Sequence, residues 1–117
     1  MHTLIILLLC LHVLAGVFWA GSTFTLARSG GSGASALLWP QMGAAAMALL
    51  TGLALWGIVH AGRFAPSEQA LALGMLAALA AAAVQIGLRA KPALSQRVAA
   101  GLLALTVVCM AASRYLG

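Results

Sequence analysis

His12 is the side chain around which chemistry can be argued. It stands alone in an apolar run from Thr3 to Ala27, and an ionisable group at bilayer depth is costly enough to mark a candidate site. At 100° per residue it shares a helix face with Ile5, Leu8, Gly16, Trp19 and Thr23. Gly16, one turn on, leaves a hollow beside the imidazole. Such a hollow suits a flat macrocycle ligated by that histidine, with Trp19 packed inside. The plain alternative is a histidine hydrogen-bonded to a neighbouring helix.

The other soft or ionisable groups are weighed against it. Met75 matches His12 in depth and is a candidate second axial ligand, because thioether sulfur ligates iron in some haem proteins. Cys10, Met75, Cys109 and Met110 all lie near one end of the bundle, and thiolate and thioether are the ligands that cuprous copper prefers. Cys10 and His12 sit about 200° apart around a helix and so are poorly placed to share one ion. Cys10 and Cys109 are candidates to meet each other, or to be small buried core residues. His2 and His60 fall at the same end and are a candidate surface pair. By helical rise, His12 and His60 differ in depth by roughly 15 Å, which argues against one iron between them in a single subunit. Gln85 is expected at the depth of Trp19 and Thr23, bonding between helices.

Several function classes are excluded by the same count. The chain has one carboxylate, Glu68, so paired acid–base chemistry and Asp-containing triads are absent. There is no phosphate loop and no zinc spacing. Any reaction must be carried by a cofactor.

The elements that position these residues follow from composition. The chain is 64% hydrophobic and 6% charged, against about 25% charged in water-soluble domains. This predicts a membrane protein, with the lipid bilayer as its first partner. Its formal charge of +5 comes from Arg28, Arg63, Arg89, Lys91, Arg97 and Arg114 against Glu68. These cations end apolar runs, so they read as topology determinants and not as a nucleic-acid surface. The first run carries no leading cation and exceeds the roughly 7–15 residues of a signal h-region, so a retained helix is expected. Leu8-Leu9-Cys10 lacks the small residue that a lipoprotein site places before its cysteine.

Four spans are predicted, at about 3–27, 36–61, 67–88 and 95–116, each near the 20 residues a span needs. The Ser/Gly stretch 29–35 is the first turn. Pro40 is expected in or just before the first turn of the second helix. Ser67 is expected to cap the third, with Glu68 in its first turn. Small-residue rows (Ala44, Ala48, Gly52; Gly74, Ala78, Ala82; Ala100, Ala104) offer close helix contacts. Trp39 and Tyr115 read as interfacial belt residues. The predicted fold is all-α: one integral membrane domain over 1–117, an up-down-up-down four-helix bundle. Positive-inside counting puts loops one and three in the cytoplasm and both termini outside, in the periplasm if the membrane is a bacterial inner membrane.

His12 followed by Trp19, Gly21 and Arg28 resembles the first helix of HemJ-type protoporphyrinogen oxidases. It is also similar to CopD-type copper-resistance membrane proteins, whose helices often read His followed by Trp-x-Gly-Gly. Pro40 and the Thr51-Gly52-Leu53 run are similar to the second helix of both. The resemblance is sharp over the first helix and loose over the rest. It implies a haem b site with His12 as axial ligand, and a membrane oxidoreductase or electron-transfer role with an electron partner still to be named. The CopD side implies copper handling. The chain departs from the HemJ pattern in lacking a Lys on the third helix, where Met75 is the nearest ligand-capable residue. Met75 or His12 of a second subunit would complete the iron, which makes a homo-oligomer an expectation. A structural subunit without cofactor is the remaining reading.

Overall fold

The computed structural model describes residues 2–59, 66–113 and 115. Among these the chain forms four helices and no strand: α1 (His2–Arg28), α2 (Ala34–Val59), α3 (Pro66–Gly87) and α4 (Pro92–Ser113). The shortest has 22 residues, about 33 Å at 1.5 Å per residue, which spans a hydrocarbon core of about 30 Å. All four are long and apolar enough to cross a membrane. Their outer surfaces are large apolar side chains such as Leu14, Val17, Leu50, Leu76 and Val108. Water would reject that surface, and acyl chains match it.

The bundle interior is built from small residues. Ala15, Ala20, Ala45, Ala48, Ala78, Ala81 and Ala99 form its core with Trp19 and Leu103. Between lipid-exposed helices there is little hydrophobic drive to associate, so close approach of small residues supplies the packing instead. Gly74 shows it best: a Cβ there would meet Cys109 Cβ at 3.1 Å and the Thr106 carbonyl oxygen at 3.4 Å. The Thr106 hydroxyl donates to the Gly74 carbonyl at 3.0 Å across the same seam. α3 packs extensively on α4, and α1 packs on both α2 and α4. α2 and α3 touch sparingly, so one edge of the bundle is thin.

The turns differ from the sequence expectation in instructive ways. α2 begins at Ala34, so Pro40 lies inside the helix and not in its first turn. Its ring removes the N–H that would have bonded the Ala36 carbonyl. The first turn closes on Gly30, Gly31 and Gly33, all at positive φ, which lets the helix restart within a few residues. α4 begins at Pro92, earlier than 95, because the fixed φ of proline suits a first helical position. α3 begins at Pro66 for the same reason, placing Ser67 inside the helix and not ahead of it. Glu68 is in the first turn as expected. On α4 the buried line runs through Gln96, Ala99 and Leu103, whereas Ala104 is exposed. The expected Ala100–Ala104 row is therefore rotated off the seam, because the bulkier Leu103 and the polar Gln96 claim the interior. Arg63 and His60 lie outside the described residues.

Candidate functional site

α1 carries His12 to the inner face of the bundle, on the line of Gly16, Trp19 and Thr23. The imidazole crosses to α2. Its Nδ1 lies 2.8 Å from the Ala48 carbonyl oxygen and 3.1 Å from the Thr51 hydroxyl oxygen. A carbonyl only accepts, so Nδ1 carries the hydrogen. The Thr51 hydroxyl donates to the Met47 carbonyl at 2.7 Å, which leaves its lone pair for the same N–H. In the neutral ring Nε2 then holds the lone pair. A histidine pinned through Nδ1–H to a carbonyl, with Nε2 unprotonated, is the state in which imidazole ligates metals.

Gly52 makes room for the ring. A Cβ at Gly52 would meet His12 Cε1 at 3.1 Å, His12 Nδ1 at 3.5 Å and Met75 Cε at 3.8 Å. His12 and Met75 therefore converge on one point above Gly52, as their matched depth predicts. At Gly16 an added Cβ meets nothing within 4 Å, so the hollow expected beside the imidazole is present.

Two adjoining cavities open from this point, of about 320 and 420 Å³. Both are lined by His12, Val13, Gly52, Met75 and Met110. Gly16, Trp19 and Thr106 line the first, and Ile5, Trp56 and Leu71 the second. These volumes fall in the range of about 300–1,000 Å³ typical of small-molecule sites, and such sites are mostly apolar with few polar groups. Here the walls are aliphatic, aromatic and thioether, and His12 brings a nitrogen lone pair.

The other candidates separate. Met110 joins His12 and Met75 at both cavities. Cys109 is buried against Gly74 on the α3–α4 seam, while Cys10 is exposed on the lipid face of α1, and both are free thiols. The expected meeting of Cys10 with Cys109 is thus corrected: two residues before His12, Cys10 points away from the interior that His12 enters. His2 is exposed, and its expected pairing with His60 lies outside the described residues. Among the described residues no three His, Cys, Asp or Glu side chains cluster as a metal site.

Trp19 links the cavity to a second feature. It is 2% exposed, lines the first cavity, and donates through Nε1 to Gln85 Oε1 at 2.7 Å. Gln85 is the interhelical bond expected of it. It also donates to Thr23 Oγ1 at 2.9 Å and Gln96 Oε1 at 3.1 Å. Gln41 donates to Ser22 and Thr23, each at 3.1 Å. Gln41 of α2 and Gln85 of α3 thus bond α1, and Gln96 of α4 accepts from both, in one buried polar layer. Gln41 and Gln96 were not singled out by sequence reasoning, although a lone carboxamide in an apolar run is a usable signal, and Thr51 was named only within the Thr51-Gly52-Leu53 resemblance.

Comparison with protein-family models, with curated proteins and with solved structures finds no match. The geometry defines a class: a four-helix membrane bundle with two adjoining apolar cavities that share a histidine.

Proposed function

We propose that this chain is a small integral membrane protein that binds haem b through His12 and serves electron transfer or an oxidation. The observation that carries the reading is the seating of His12: its Nδ1 lies 2.8 Å from the Ala48 carbonyl oxygen on the wall of an apolar cavity, which in the neutral ring leaves Nε2 as a lone-pair donor. The residues suit the group. Gly16 lines the cavity beside the ring and Gly52 lets the ring approach α2; Met75, beside the same glycine, would be the second residue to hold the group, with His12 of another subunit as the alternative. A bound haem iron would supply one-electron chemistry. The chain's own part is to fix the imidazole, exclude water with apolar walls and set ligand basicity through the Nδ1–H bond. In this reading the chain lies in a bacterial inner membrane with loops one and three cytoplasmic.

A second reading has its own support. Met75 and Met110 line both cavities together with His12, and one imidazole with two thioethers is a donor set that suits cuprous copper. One measurement separates the two. Protein extracted in mild detergent from cells supplied with haem and copper is analysed by visible absorption and metal content. The haem reading expects a Soret band lost in His12→Ala. Bound copper without a Soret band, lost in Met75→Ala, supports the copper reading. Neither pigment nor copper returns the chain to a structural role.

A further inference from the structure

The layer of Gln41, Gln85 and Gln96 holds an unbalanced account of donors and acceptors. All three side chains are buried, Gln41 and Gln85 at 0% exposure. Thr23 Oγ1 accepts from both Gln41 and Gln85, and Gln96 Oε1 accepts from Gln85 and, at 3.5 Å, from Gln41. Gln85 Oε1 accepts from Trp19. Gln41 Oε1 has no hydrogen-bond partner among the described residues. Turning the Gln41 amide over would place its NH₂ in the same unmatched position, so one polar group of this carboxamide lacks a partner either way.

A cleft adjoins the layer at the end of the bundle carrying loops one and three. It has a volume of about 120 Å³ and is lined by Ser35, Gln85, Arg89, Pro92, Ser95 and Gln96, with Ala34 and Leu38. Gln85 and Gln96 belong to both the cleft and the layer. A cavity of roughly 10–15 Å³ by this kind of measure admits one water, given two to four polar partners. The cleft meets that condition several times over. Arg89 is exposed at its mouth, while the layer itself contains no charged side chain. That composition favours a neutral occupant that can donate a hydrogen bond.

We propose that this cleft and the glutamine layer form a blind-ended aqueous vestibule, in which water enters from the loop-one and loop-three end and donates to Gln41 Oε1. Trp19 stands between the layer and the cavity of His12. The indole N–H is tied to Gln85 on the wet side, and the ring lines the apolar cavity of His12 on the other. The inference is independent of which cofactor His12 holds.

Solid-state NMR on the full chain in lipid bilayers, with ¹⁵N-labelled glutamine side chains and magnetisation transferred from water protons, tests it. Gln69, exposed near the opposite end, is the internal reference. The expected result is transfer to the Gln41 and Gln96 carboxamides alongside Gln69. Absence of transfer to both, while Gln69 responds, overturns the proposal. Gln41→Leu removes the acceptor, and a weaker transferred signal at Gln96 is expected with Gln69 unchanged. Undiminished transfer in that variant refutes Gln41 as the anchor, and the wild-type measurement decides the vestibule even where the variant fails to fold.

Discussion

At the scale of single residues, the His12 ring is held at Nδ1 by two neighbours on α2. The Ala48 carbonyl survives any side-chain substitution, whereas the Thr51 hydroxyl does not. Thr51→Val should therefore keep the cofactor but weaken it, by up to about tenfold, the lower end for loss of a ligand's supporting hydrogen bond; titration of the reconstituted protein checks this. Gly52 makes a sharper test. A Cβ there approaches His12 Cε1 to 3.1 Å, and a whole leucine side chain would enter the space where His12 and Met75 converge. Gly52→Leu should abolish cofactor binding while the helical circular dichroism is unchanged. If the variant binds as wild type does, the cavity at Gly52 is not the site. The His12 face, the hollow at Gly16 and the Met75 match were legible because helical periodicity fixes them. Gly52 and Thr51 as partners of the ring were not, since that depends on how far α2 slides along α1, which no single-helix pattern encodes.

At the scale of elements, two junctions organise the bundle. One is the polar layer. Trp19→Phe keeps the ring's bulk but leaves Gln85 Oε1 without its donor. A buried group left unpaired costs about 1–3 kcal/mol, although interhelical hydrogen bonds measured in one membrane protein average nearer ~0.6 kcal/mol. A loss of about 1 kcal/mol in detergent unfolding is expected, and no change would show that the layer relaxes freely. The other is the docking of loop one on the start of α4. Gly31 has φ +85°, and a Cβ there would fall 2.7 Å from the Pro92 carbonyl carbon and 2.8 Å from the Ala93 nitrogen. Both obstacles are backbone, so nothing nearby can yield cheaply. Gly31→Ala should destabilise by more than the ~1 kcal/mol that a left-handed non-glycine residue costs alone, read by the same unfolding measurement. The Ser/Gly turn was visible in the sequence as a turn. Its tightness was not, because the helix continues past Pro40 and takes back residues that flexible composition had assigned to the loop.

At the scale of the whole molecule, charge and packing point the same way. The Gly31–Pro92 contact brings loops one and three together at one end, and Arg28, Arg89, Lys91 and Arg97 stand in or beside those loops. In the sequence, Arg63 and Arg114 flank the opposite ends of the spans, with Glu68. Span number was the most legible property of all, since four uninterrupted apolar stretches leave little else for the chain to be. Sidedness rests on a bias of four cations to two, and positive residues are retained on the cytoplasmic side. The expected orientation has both termini across the membrane from the cytoplasm. A carboxy-terminal alkaline phosphatase fusion in a bacterial host should then be active, and a green fluorescent protein fusion at the same point dark. Replacing Arg89, Lys91 and Arg97 with glutamine leaves Arg28 as the one cation of that end, against two at the other. The fusion signals should then become mixed or reverse, whereas an unaltered pattern would show that something other than these cations sets the orientation. The vestibule inherits the same sidedness, so in the expected orientation its water comes from the cytoplasm.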